Sequence, residues 1–409
     1  MPLSARQKQA LARSTAPVNL WYGSVRASKT HASLWWLLAR IAGHEGDGAV
    51  IIVGFSRDTI WRNLFVPLLS HDDFAVVAPH IKYKQGAPTA RILGVEVSVI
   101  GASDERSWQR IQGMTVATCL GDEAVTWPQS FWDMLLTRLS LPESSLLATC
   151  NPGTGSHYLK TTVVDRATDP DIHVERFLLH DNPWLPRSYV ERLERTFTGL
   201  FYRRMILAEW VAAEGAVYEC WDPEQMLVPD AQVPELEQIL AVGIDYGTNH
   251  PTAGYALAVG VDGRLWVVAE WSPNLETGAH RRLTDAQLAD DLQRWLRGLP
   301  APPRFIYCDP AAASFREELR ARHIVTHKAD NRVLDGIRTV DSLLVNRQLV
   351  VSDVCEHLPG ELSSYRWDAK KAARGVDAPI KENDDHVDAL RYAVASCRHV
   401  WRKFITLGD

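Results

Sequence analysis

Residues 23–30 read Gly23-Ser24-Val25-Arg26-Ala27-Ser28-Lys29-Thr30. They follow an extended apolar segment, residues 18–22, and precede a strongly helical run, residues 31–42. This strand, loop and helix context is typical of a phosphate-binding loop, in which backbone N–H groups and the helix N-terminus cradle phosphate oxygens. Lys29 would reach the β- and γ-phosphates and Thr30 would hold Mg²⁺. Ser28 replaces the second glycine of the common motif, so an ordinary polar helix start is the alternative for this stretch alone.

Two further elements strengthen the prediction of a nucleotide site. Residues 114–123 form a largely apolar strand that ends in Asp122-Glu123. Such a strand delivers an Asp to Mg²⁺, and the adjacent Glu polarises the attacking water. Residues 148–152 follow the next strand, and their polar tip can sense the γ-phosphate. For the first element alone, a strand that ends at a solvated acidic turn is the less favoured alternative, and the second alone is simply a turn. The predicted nucleotide contacts are Gly23, Ser24, Arg26, Ala27, Ser28, Lys29, Thr30, Asp122 and Asn151.

The strand pattern predicts two α/β domains. Apolar strands at 49–54, 96–100, 115–120 and 145–150 alternate with helices, which favours a mostly parallel sheet. A stretch rich in Pro, Asp and Glu then indicates a connector. A second domain opens with a strand at 240–244 and a hairpin around an Asp-Gly turn. We expect domains at 1–214 and 239–409 joined by a linker at 215–238.

The second domain carries separated carboxylates that suit a metal site. Asp245 follows the strand 240–244, Asp309 ends the strand 304–308, and Asp388 lies on a predicted C-terminal helix with Asn383 as its N-cap. A first strand ending in Asp and followed by a hairpin is how ribonuclease-H-like folds begin. In-line cleavage of a phosphodiester requires two Mg²⁺ or Mn²⁺ ions about 3.5–4 Å apart, held by oxygen ligands. The sequence therefore predicts a two-metal site.

Three neighbours of this predicted site have weaker claims. Asp385 shares a helix face with Asp388 and is an auxiliary ligand or a helix-start residue. For Glu270 a solvated strand end is favoured over a place in the cluster. For His386 a supporting or surface position is favoured over ligation.

Composition limits the function classes without choosing the partner. The 409 residues suit two domains, and 46% hydrophobic with 23% charged residues is typical of globular proteins. A net charge of −6 is unusual for a nucleic-acid binder, although metal-holding carboxylates add negative charge locally. The six cysteines lack zinc spacing and fit the reduced state of a cytoplasm. No signal peptide is predicted in residues 1–16, and the longest apolar stretch, 34–42, is too short to cross a bilayer.

The motifs and their order resemble the large terminase subunits of tailed bacteriophages over nearly the whole chain. The resemblance rests on the following segments: Arg26 in the phosphate loop, Arg110-Ile111-Gln112-Gly113, Thr149-Cys150-Asn151-Pro152, Asp181-Asn182-Pro183, Leu207-Ala208-Glu209-Trp210 and Glu214-Gly215-Ala216-Val217-Tyr218. It implies a P-loop ATPase domain that translocates double-stranded DNA into a procapsid and a ribonuclease-H-like nuclease domain that cuts concatemeric DNA.

The resemblance also implies site residues, partners and location. Its metal trio falls on Asp245, Asp309 and Asp388, and its γ-phosphate arginine on Arg26 or Arg110, of which Arg110 would act on a neighbouring subunit. Implied ligands are ATP, Mg²⁺ at the ATPase site and two Mg²⁺ or Mn²⁺ at the nuclease site. Implied partners are double-stranded DNA, a portal protein, a small terminase subunit and further copies in a ring, without a membrane. The implied location is the host bacterial cytoplasm, with absence from the mature virion.

Three other interpretations are distinguishable by experiment. The main alternative is an ATP-dependent DNA translocase or helicase with a non-catalytic second domain, which forked-duplex unwinding would favour. A recombinase-like or transposase-like nuclease with an accidental P-loop match would lack DNA-stimulated ATPase. A structural capsid or portal protein is disfavoured because clustered carboxylates destabilise a fold unless a metal neutralises them.

Overall fold

The computed structural model describes residues 3–197, 199–247, 250–273 and 283–405. The chain divides into two compact units. Unit 1 contains Met1–Val190, Leu200–Ala212 and Ala373–Val376. Unit 2 contains Glu191–Gly199, Ala213–Ala372 and Asp377–Asp409.

The first half of the chain forms an eight-stranded, mostly parallel sheet. Its strands are β1 (Val18–Gly23), β2 (Ala49–Gly54), β3 (Ile81–Lys82), β4 (Thr89–Ile92), β5 (Val95–Gly101), β6 (Val116–Gly121), β7 (Ser145–Cys150) and β8 (Ile172–Phe177). The helices of the same stretch are α1 (Ala5–Arg13), α2 (Lys29–Ala42), α3 (Arg57–Ile60), α4 (Val66–Ser70), α5 (Gln129–Leu136), α6 (Tyr158–Thr162), α7 (Arg187–Thr196) and α8 (Gly199–Met205). The strand order is β3-β4-β5-β2-β6-β7-β1-β8.

The prediction of a mostly parallel α/β sheet is confirmed. Six neighbouring strands, from β5 to β8 in the sheet order, run parallel, and only β3 and β4 pair antiparallel at one edge. Strand β2 shows why the predicted runs are uniformly apolar. Val50 and Ile52 pack into the hydrophobic core on one face of the sheet, while Ile51 and Val53 pack into the core on the other. A strand buried on both faces has no polar side to alternate with.

The second half forms a seven-stranded mixed sheet. Its strands are β9 (Leu227–Val228), β10 (Leu236–Asp245), β11 (Ala253–Gly260), β12 (Leu265–Trp271), β13 (Phe305–Cys308), β14 (His327–Lys328) and β15 (Leu349–Ser352). Its helices are α9 (Pro223–Met226), α10 (Asp285–Gly298), α11 (Ala313–Ala321), α12 (Val333–Val345), α13 (Leu358–Ser364), α14 (Ala369–Ala373), α15 (Asp385–Ser396) and α16 (Arg398–Trp401). The strand order is β14-β13-β10-β11-β12-β15-β9.

The ribonuclease-H-like prediction for this half is also confirmed. Strands β10, β11 and β12 form an antiparallel meander, and β13 then joins β10 in parallel, followed by β14. Counted from β10, the core order is therefore 3-2-1-4-5. Strands β15 and β9 extend the sheet beyond β12.

The segment predicted as a linker, 215–238, lies within unit 2. Val217 and Tyr218 are buried, the Val217 N–H donates to the Tyr365 carbonyl at 2.9 Å, and β9 pairs with β15. Its Pro, Asp and Glu residues suggested an exposed connector. The few apolar side chains among them, however, bury against unit 2, because burial depends on which residues meet and not on average composition.

A glycine sets the spacing between β10 and α15. A Cβ atom at Gly243 would lie 2.2 Å from the Ala389 carbonyl oxygen and 2.4 Å from the Ala393 nitrogen. Both atoms belong to the backbone of α15, so they cannot rotate away. Since α15 also carries Asp385 and Asp388, this close contact fixes the position of two acidic side chains relative to the strand that ends in Asp245.

We predict that Gly243→Ala lowers the free energy of unfolding by at least about 1–3 kcal/mol, because overpacking against backbone forces α15 away from the sheet. Chemical denaturation checks this. Gly360→Ala is the matched control: Gly360 is an exposed residue of α13 with open space around its Cβ position, and alanine there should leave stability unchanged or raise it by up to about 1 kcal/mol. Equal unfolding curves for both variants would contradict the tight contact.

Candidate functional site

Unit 1 gathers its predicted polar residues at one edge of the sheet. Strands β6, β7 and β1 are neighbours and run parallel, so the segments that follow them meet. They border an open cavity of about 470 Å³. The predicted residues that line it are Arg26, Ala27, Ser28, Lys29, Thr30, Asp122, Glu123 and Asn151.

Lys29 is a buried cation held by oxygen atoms at the base of this cavity. Its Nζ donates to the Gly23 carbonyl at 3.1 Å, to the Ser24 carbonyl at 2.7 Å and to Asn151 Oδ1 at 3.1 Å. Burial lowers the pKa of Lys29 to about 8. The fold therefore holds a desolvated ammonium group without a full countercharge, which favours an anionic ligand.

Asp122 accepts hydrogen bonds from the polar side chains on the adjacent wall of the cavity. Its Oδ1 accepts hydrogen bonds from Thr30 Oγ1 at 3.1 Å and Thr149 Oγ1 at 2.8 Å, and its Oδ2 accepts from Asn63 Nδ2 at 2.9 Å. The hydroxyl of Thr30 and the carboxylate of Asp122 thus lie together. Oxygen donors of this kind are the ligands that Mg²⁺ prefers.

The loop between β1 and α2 has the backbone of an anion-binding turn. Arg26 and Ser28 both adopt left-handed conformations, with φ of 58° and 62°. Ser28 therefore takes the backbone conformation that the glycine of the common motif adopts without strain. Alternating backbone conformations of this kind turn successive N–H groups toward one side of the loop. The Asn182 side chain donates to the Arg26 carbonyl at 2.8 Å and supports the loop.

Gly23 and Ser24, two of the predicted nucleotide contacts, are not among the residues that line the cavity and instead support the loop from the protein interior. Gly23 has no room for a side chain, since a Cβ there would lie 1.9 Å from the Phe177 carbonyl oxygen. Ser24 is buried, and its hydroxyl donates to the Ile206 carbonyl at 2.6 Å. Their carbonyl groups position Lys29, while their side-chain positions face the protein interior.

Arg110 lies apart from the cavity that Arg26 lines. Its guanidinium donates to the Gly101 carbonyl and lies 3.8 Å from Asp104 Oδ2, with 47% of the side chain exposed. It is thus placed at the surface of unit 1.

Glu123 combines a constrained backbone with a perturbed acidity. Its φ is 55°, in the left-handed region. Partial burial, and then the charge of Asp122, raises the pKa of Glu123. The residue nevertheless keeps contact with solvent where it lines the cavity. A non-glycine residue held in this conformation beside a cavity is a common feature of functional sites.

Of the other residues that line the cavity, some belong to the sequence motifs and some do not. Thr149 and Asn182 belong to segments that carried the family resemblance. Asn63 belongs to no motif and contacts Asp122 only because β2 and β6 are neighbours in the sheet.

Unit 2 brings the predicted carboxylates together. Ile244 and Cys308 are in register on the parallel strands β10 and β13, so Asp245 and Asp309 occupy the next positions side by side. The Asp309 N–H donates to the Ile244 carbonyl at 3.0 Å. Burial, followed by the charges of Asp388 and Asp309, raises the pKa of Asp245 to about 8. Burial and the charge of Asp384 likewise raise the pKa of Asp385 to about 6.

Asp388 is compensated by two cations. Lys381 Nζ lies 3.0 Å from Asp388 Oδ2 and 2.8 Å from Asp384 Oδ2. Arg391, almost fully buried, contacts Asp388 Oδ1 through Nη2 at 3.0 Å. The Lys381 ammonium is therefore a cation placed between two carboxylates of this cluster.

The spread of the acidic residues matters for metal binding. In the described part of the chain, no group of three ligand atoms within 4.8 Å of one another includes the trio Asp245, Asp309 and Asp388. Ligands shared by two ions about 3.5–4 Å apart span a wider region than ligands of one ion. The trio is therefore not a compact three-atom ligand set among the described residues.

The start of α15 differs from the sequence prediction. Asn383 has φ of 50° and lies outside the helix, and Asp384 occupies the N-cap without a side-chain cap bond. Instead, Glu361 Oε2 accepts from the N–H groups of His386 at 2.9 Å and Val387 at 3.0 Å. The predicted N-cap Asn383 is wrong because a carboxylate from α13, distant in sequence, satisfies the first turn.

Glu270 and His386 form a separate group. The Glu270 carboxylate accepts a hydrogen bond from the backbone N–H of His357 and also contacts the ring Nδ1 of His357. Glu270 is therefore neither a solvated strand end nor a member of the aspartate cluster. His386 is only 2% exposed, so it is not a surface residue. Its Nδ1 lies 2.6 Å from the Tyr255 hydroxyl.

The whole chain is similar to solved structures of the large terminase from a thermophilic bacteriophage. One crystal form is 30% identical over 96% of this chain and 98% of that chain, with a TM-score of 0.86. The chain belongs to the large terminase family. The same phage protein in complex with ADP is 30% identical over 96% of this chain and 99% of that chain, with a TM-score of 0.87. Its complex with ATP-γ-S is 29% identical over 97% and 99% of the respective chains, with a TM-score of 0.85.

The family membership makes this large terminase a phage DNA-packaging protein. No protein-family model and no curated protein matches the chain by sequence. Among the described helices of this large terminase, none has the length and apolar character needed to cross a membrane.

We predict that Asp245→Asn stabilises the metal-free protein increasingly as the pH rises from about 4 to about 8. The folded-state pKa of Asp245 is raised from 3.8 to about 8, so the folded protein binds a proton in this window that the unfolded chain has released. Stability is therefore lost as the pH rises through the window, and the neutral amide avoids that loss. Thermal unfolding in a chelator at several pH values measures it, with about 2–4 °C expected per kcal/mol.

Asp262→Asn is the control of opposite sign. Burial alone would raise the pKa of Asp262, but hydrogen bonds from Arg264 and Trp266 lower it. A lowered pKa means that the carboxylate stabilises the fold above its unfolded pKa and loses that effect as the pH falls, so the amide should lower the Tm slightly at pH 7. Parallel pH profiles for Asp245→Asn and wild type would argue against charge crowding at the cluster.

Proposed function

We propose that this large terminase hydrolyses ATP in unit 1 to translocate double-stranded DNA and cuts DNA in unit 2 by two-metal chemistry. The observation that carries the proposal is the convergence of chemically complementary residues in each unit, on segments that follow adjacent parallel strands and, for Asp388, on α15. Unit 1 offers a buried cation and hydroxyl groups beside an open cavity, and unit 2 offers crowded carboxylates.

The nucleotide role of unit 1 is supported by the charge of its cavity. Lys29 is desolvated and is held by the Gly23 and Ser24 carbonyls toward Asn151. The phosphates of ATP would give it the countercharge that the protein lacks. Similarity to a large terminase solved with ADP and with ATP-γ-S supports the same ligand class.

The hydrolytic roles follow from the residues around that cavity. Glu123 has a raised pKa and lines the mouth, so it is suited to accept a proton from the attacking water. Arg26 lines the cavity from within the loop and can approach the γ-phosphate of a nucleotide bound by its own chain. Asn151 bonds Lys29 and would change partners when the γ-phosphate leaves, which couples hydrolysis to the strand that carries it.

The nuclease role of unit 2 is supported by the acidic cluster and its stand-in cation. Burial, and then repulsion from Asp388 and Asp309, raises the pKa of Asp245, and bound cations would relieve the repulsion. The Lys381 ammonium lies against two carboxylates of the cluster. We infer that Asp245, Asp309 and Asp388 hold two Mg²⁺ or Mn²⁺ ions, with Asp385 as an auxiliary ligand.

In unit 1 we infer that Thr30 and Asp122 hold Mg²⁺. Bound at these sites, divalent cations would neutralise phosphate oxygens and, in unit 2, lower the pKa of the attacking water. The chain itself aligns the ligands: β10 and β13 hold Asp245 and Asp309 in register, and the Gly243 contact places α15 with Asp388 beside them.

The partners follow from the packaging role. We propose that the protein binds double-stranded DNA, a small terminase subunit and a portal protein, and forms a ring of identical copies on the procapsid. The net charge of −6 is compatible with this because a translocating protein requires weak, sequence-independent contacts with the DNA backbone. It would act in the host bacterial cytoplasm and be absent from the mature virion.

The first test separates the two activities. We predict that Lys29→Ala lowers the kcat of ATP hydrolysis by about 10²–10³-fold or more, because it removes a preorganised charge, while it retains plasmid cleavage in Mn²⁺. Asp245→Ala should lose cleavage and retain ATPase activity. Both assays are run on the same preparations in Mg²⁺ and in Mn²⁺.

Lys8→Ala and Asp262→Ala are the matched controls, since they change an exposed lysine of α1 and an acidic residue outside the cluster. Both should retain both activities. Cleavage that survives Asp245→Ala, or an intact ATPase in a wild type that cuts no DNA with either metal, would refute the assignment of unit 2 and favour a translocase or helicase.

The second test assigns the arginines by mixing subunits. We predict that Arg110→Ala and Lys29→Ala proteins, each defective alone, regain ATPase activity when mixed on portal-bearing procapsids, because Arg110 is exposed away from its own cavity and would serve a neighbour. Arg26→Ala should show no such rescue, since it acts on the nucleotide of its own chain. Each single loss should be about 10³–10⁵-fold if the residue contacts the γ-phosphate.

Arg106→Ala, which changes an exposed arginine of the same segment, is the control and should be active alone. Absence of rescue for Arg110→Ala would place its role outside the nucleotide site of the neighbour. Rescue of Arg26→Ala would show that Arg26 acts between subunits.

A further inference from the structure

A second group of metal-ligating side chains lies in unit 2, distinct from the aspartate trio. Glu270 of β12, His357 before α13 and His386 in the first turn of α15 present ligand atoms that all lie within 4.8 Å of one another. The two imidazole rings stack with centroids 5.1 Å apart at an angle of 16°. The proposed nuclease mechanism uses none of these three residues.

His386 supplies an independent observation that points to a ligand. Its side chain is 2% exposed, and its Nε2 has no hydrogen-bond partner among the described residues. A buried polar atom left without a partner destabilises a protein, because it loses its hydrogen bonds to water. The other ring nitrogen, Nδ1, lies 2.6 Å from the Tyr255 hydroxyl. With the proton on Nδ1, donated to Tyr255, the lone pair of Nε2 is available to an electrophile.

The Tyr255 contact also matches the surroundings of metal-binding histidines. The Tyr255 hydroxyl, 2.6 Å from His386 Nδ1, also lies near the Glu270 carboxylate. A histidine that ligates a metal usually donates its other ring N–H to an oxygen atom, which fixes the ring orientation. Tyr255, which is fully buried, fulfils this role for His386.

The open side of the group is at His357. Its side chain is 40% exposed, whereas that of Glu270 is 7% exposed. The group is thus a pocket closed by protein on the side of Glu270 and His386 and reachable by solvent past His357. An ion can enter without unfolding of the sheet, and a water molecule can complete its coordination.

We propose that Glu270, His357 and His386 bind a transition-metal ion of the Zn²⁺ class. Two imidazoles and one carboxylate suit Zn²⁺, whereas Mg²⁺ and Ca²⁺ prefer oxygen ligands only, as in the aspartate cluster. Bond lengths of about 2.0–2.2 Å at a tetrahedral ion require ligand atoms roughly 3.4 Å apart, so the direct contact between His357 Nδ1 and Glu270 would open to admit the ion. The ion joins β12, the chain before α13 and the first turn of α15.

Binding of the ion by His386 has a structural consequence that does not depend on the nuclease assignment. The first turn of α15 is otherwise held by Glu361, which accepts from the N–H groups of His386 and Val387. A metal on His386 adds a link from the same turn to the sheet. The metal therefore fixes the turn that bears Asp385 and Asp388.

The test measures metal binding directly, in a background that removes competition from the aspartates. Asp245→Asn protein is stripped with chelator and dialysed to equilibrium against buffered Zn²⁺ in excess Mg²⁺, and bound zinc is counted by elemental analysis. We expect one Zn²⁺ per chain and a Zn²⁺-dependent rise in Tm. Adding His357→Gln should abolish both, and because His357 is partly exposed the variant should fold, which circular dichroism and retained ATPase verify.

His323→Gln is the matched control, a histidine of the same unit outside the group, and should bind zinc as the background does. Tyr255→Phe should weaken Zn²⁺ binding by about 10–100-fold, because it removes the hydrogen bond that orients His386. The proposal is overturned if the background protein binds no Zn²⁺, or if His357→Gln binds it with unchanged affinity. Neither result bears on plasmid cleavage, which tests the nuclease separately.

Discussion

The carboxyl ends of neighbouring parallel strands lie at the same edge of a sheet, and both sites of this large terminase depend on that constraint. In unit 1 the segments after β1, β6 and β7 carry Lys29, Asp122 and Asn151 to one cavity. In unit 2 the register of β10 with β13 places Asp245 beside Asp309. Residues far apart in the chain meet because the hydrogen-bond ladder fixes where each strand ends.

The two sites have opposite electrostatic character. Unit 1 holds a desolvated lysine whose pKa is lowered to about 8, so its cavity favours an anion. Unit 2 buries and crowds carboxylates until the pKa of Asp245 rises to about 8, so its cluster favours cations. In each case the fold holds charged groups in fixed positions that flexible side chains in water would not keep. Preorganisation of this kind is what catalysis of phosphate chemistry requires.

Helix α15 connects packing to chemistry in unit 2. Gly243 lets the helix backbone approach β10 to a distance that no side chain would permit. Glu361 caps the first turn from another helix. That one turn carries Asp385 and Asp388 toward the acidic cluster and His386 toward Glu270 and His357. One helix turn can reach both groups because adjacent residues of a helix point in different directions. A small displacement of α15 would therefore move residues of both groups.

The sequence by itself determined the features that depend on local patterning. Apolar runs predicted the strands. Asp122, Asp245 and Asp309 at strand ends, and Lys29 after the loop that follows β1, were recognisable because these patterns involve residues close together in the sequence. Only the tertiary structure decided which side chains act as partners: Asn63 on Asp122, Lys381 on Asp388, Glu361 at the start of α15 and His357 on Glu270. These contacts join segments distant in the chain, so no local period or motif encodes them. The same reason explains why Asn383 was mistaken for a cap and why the apolar residues of 215–238 pack into unit 2.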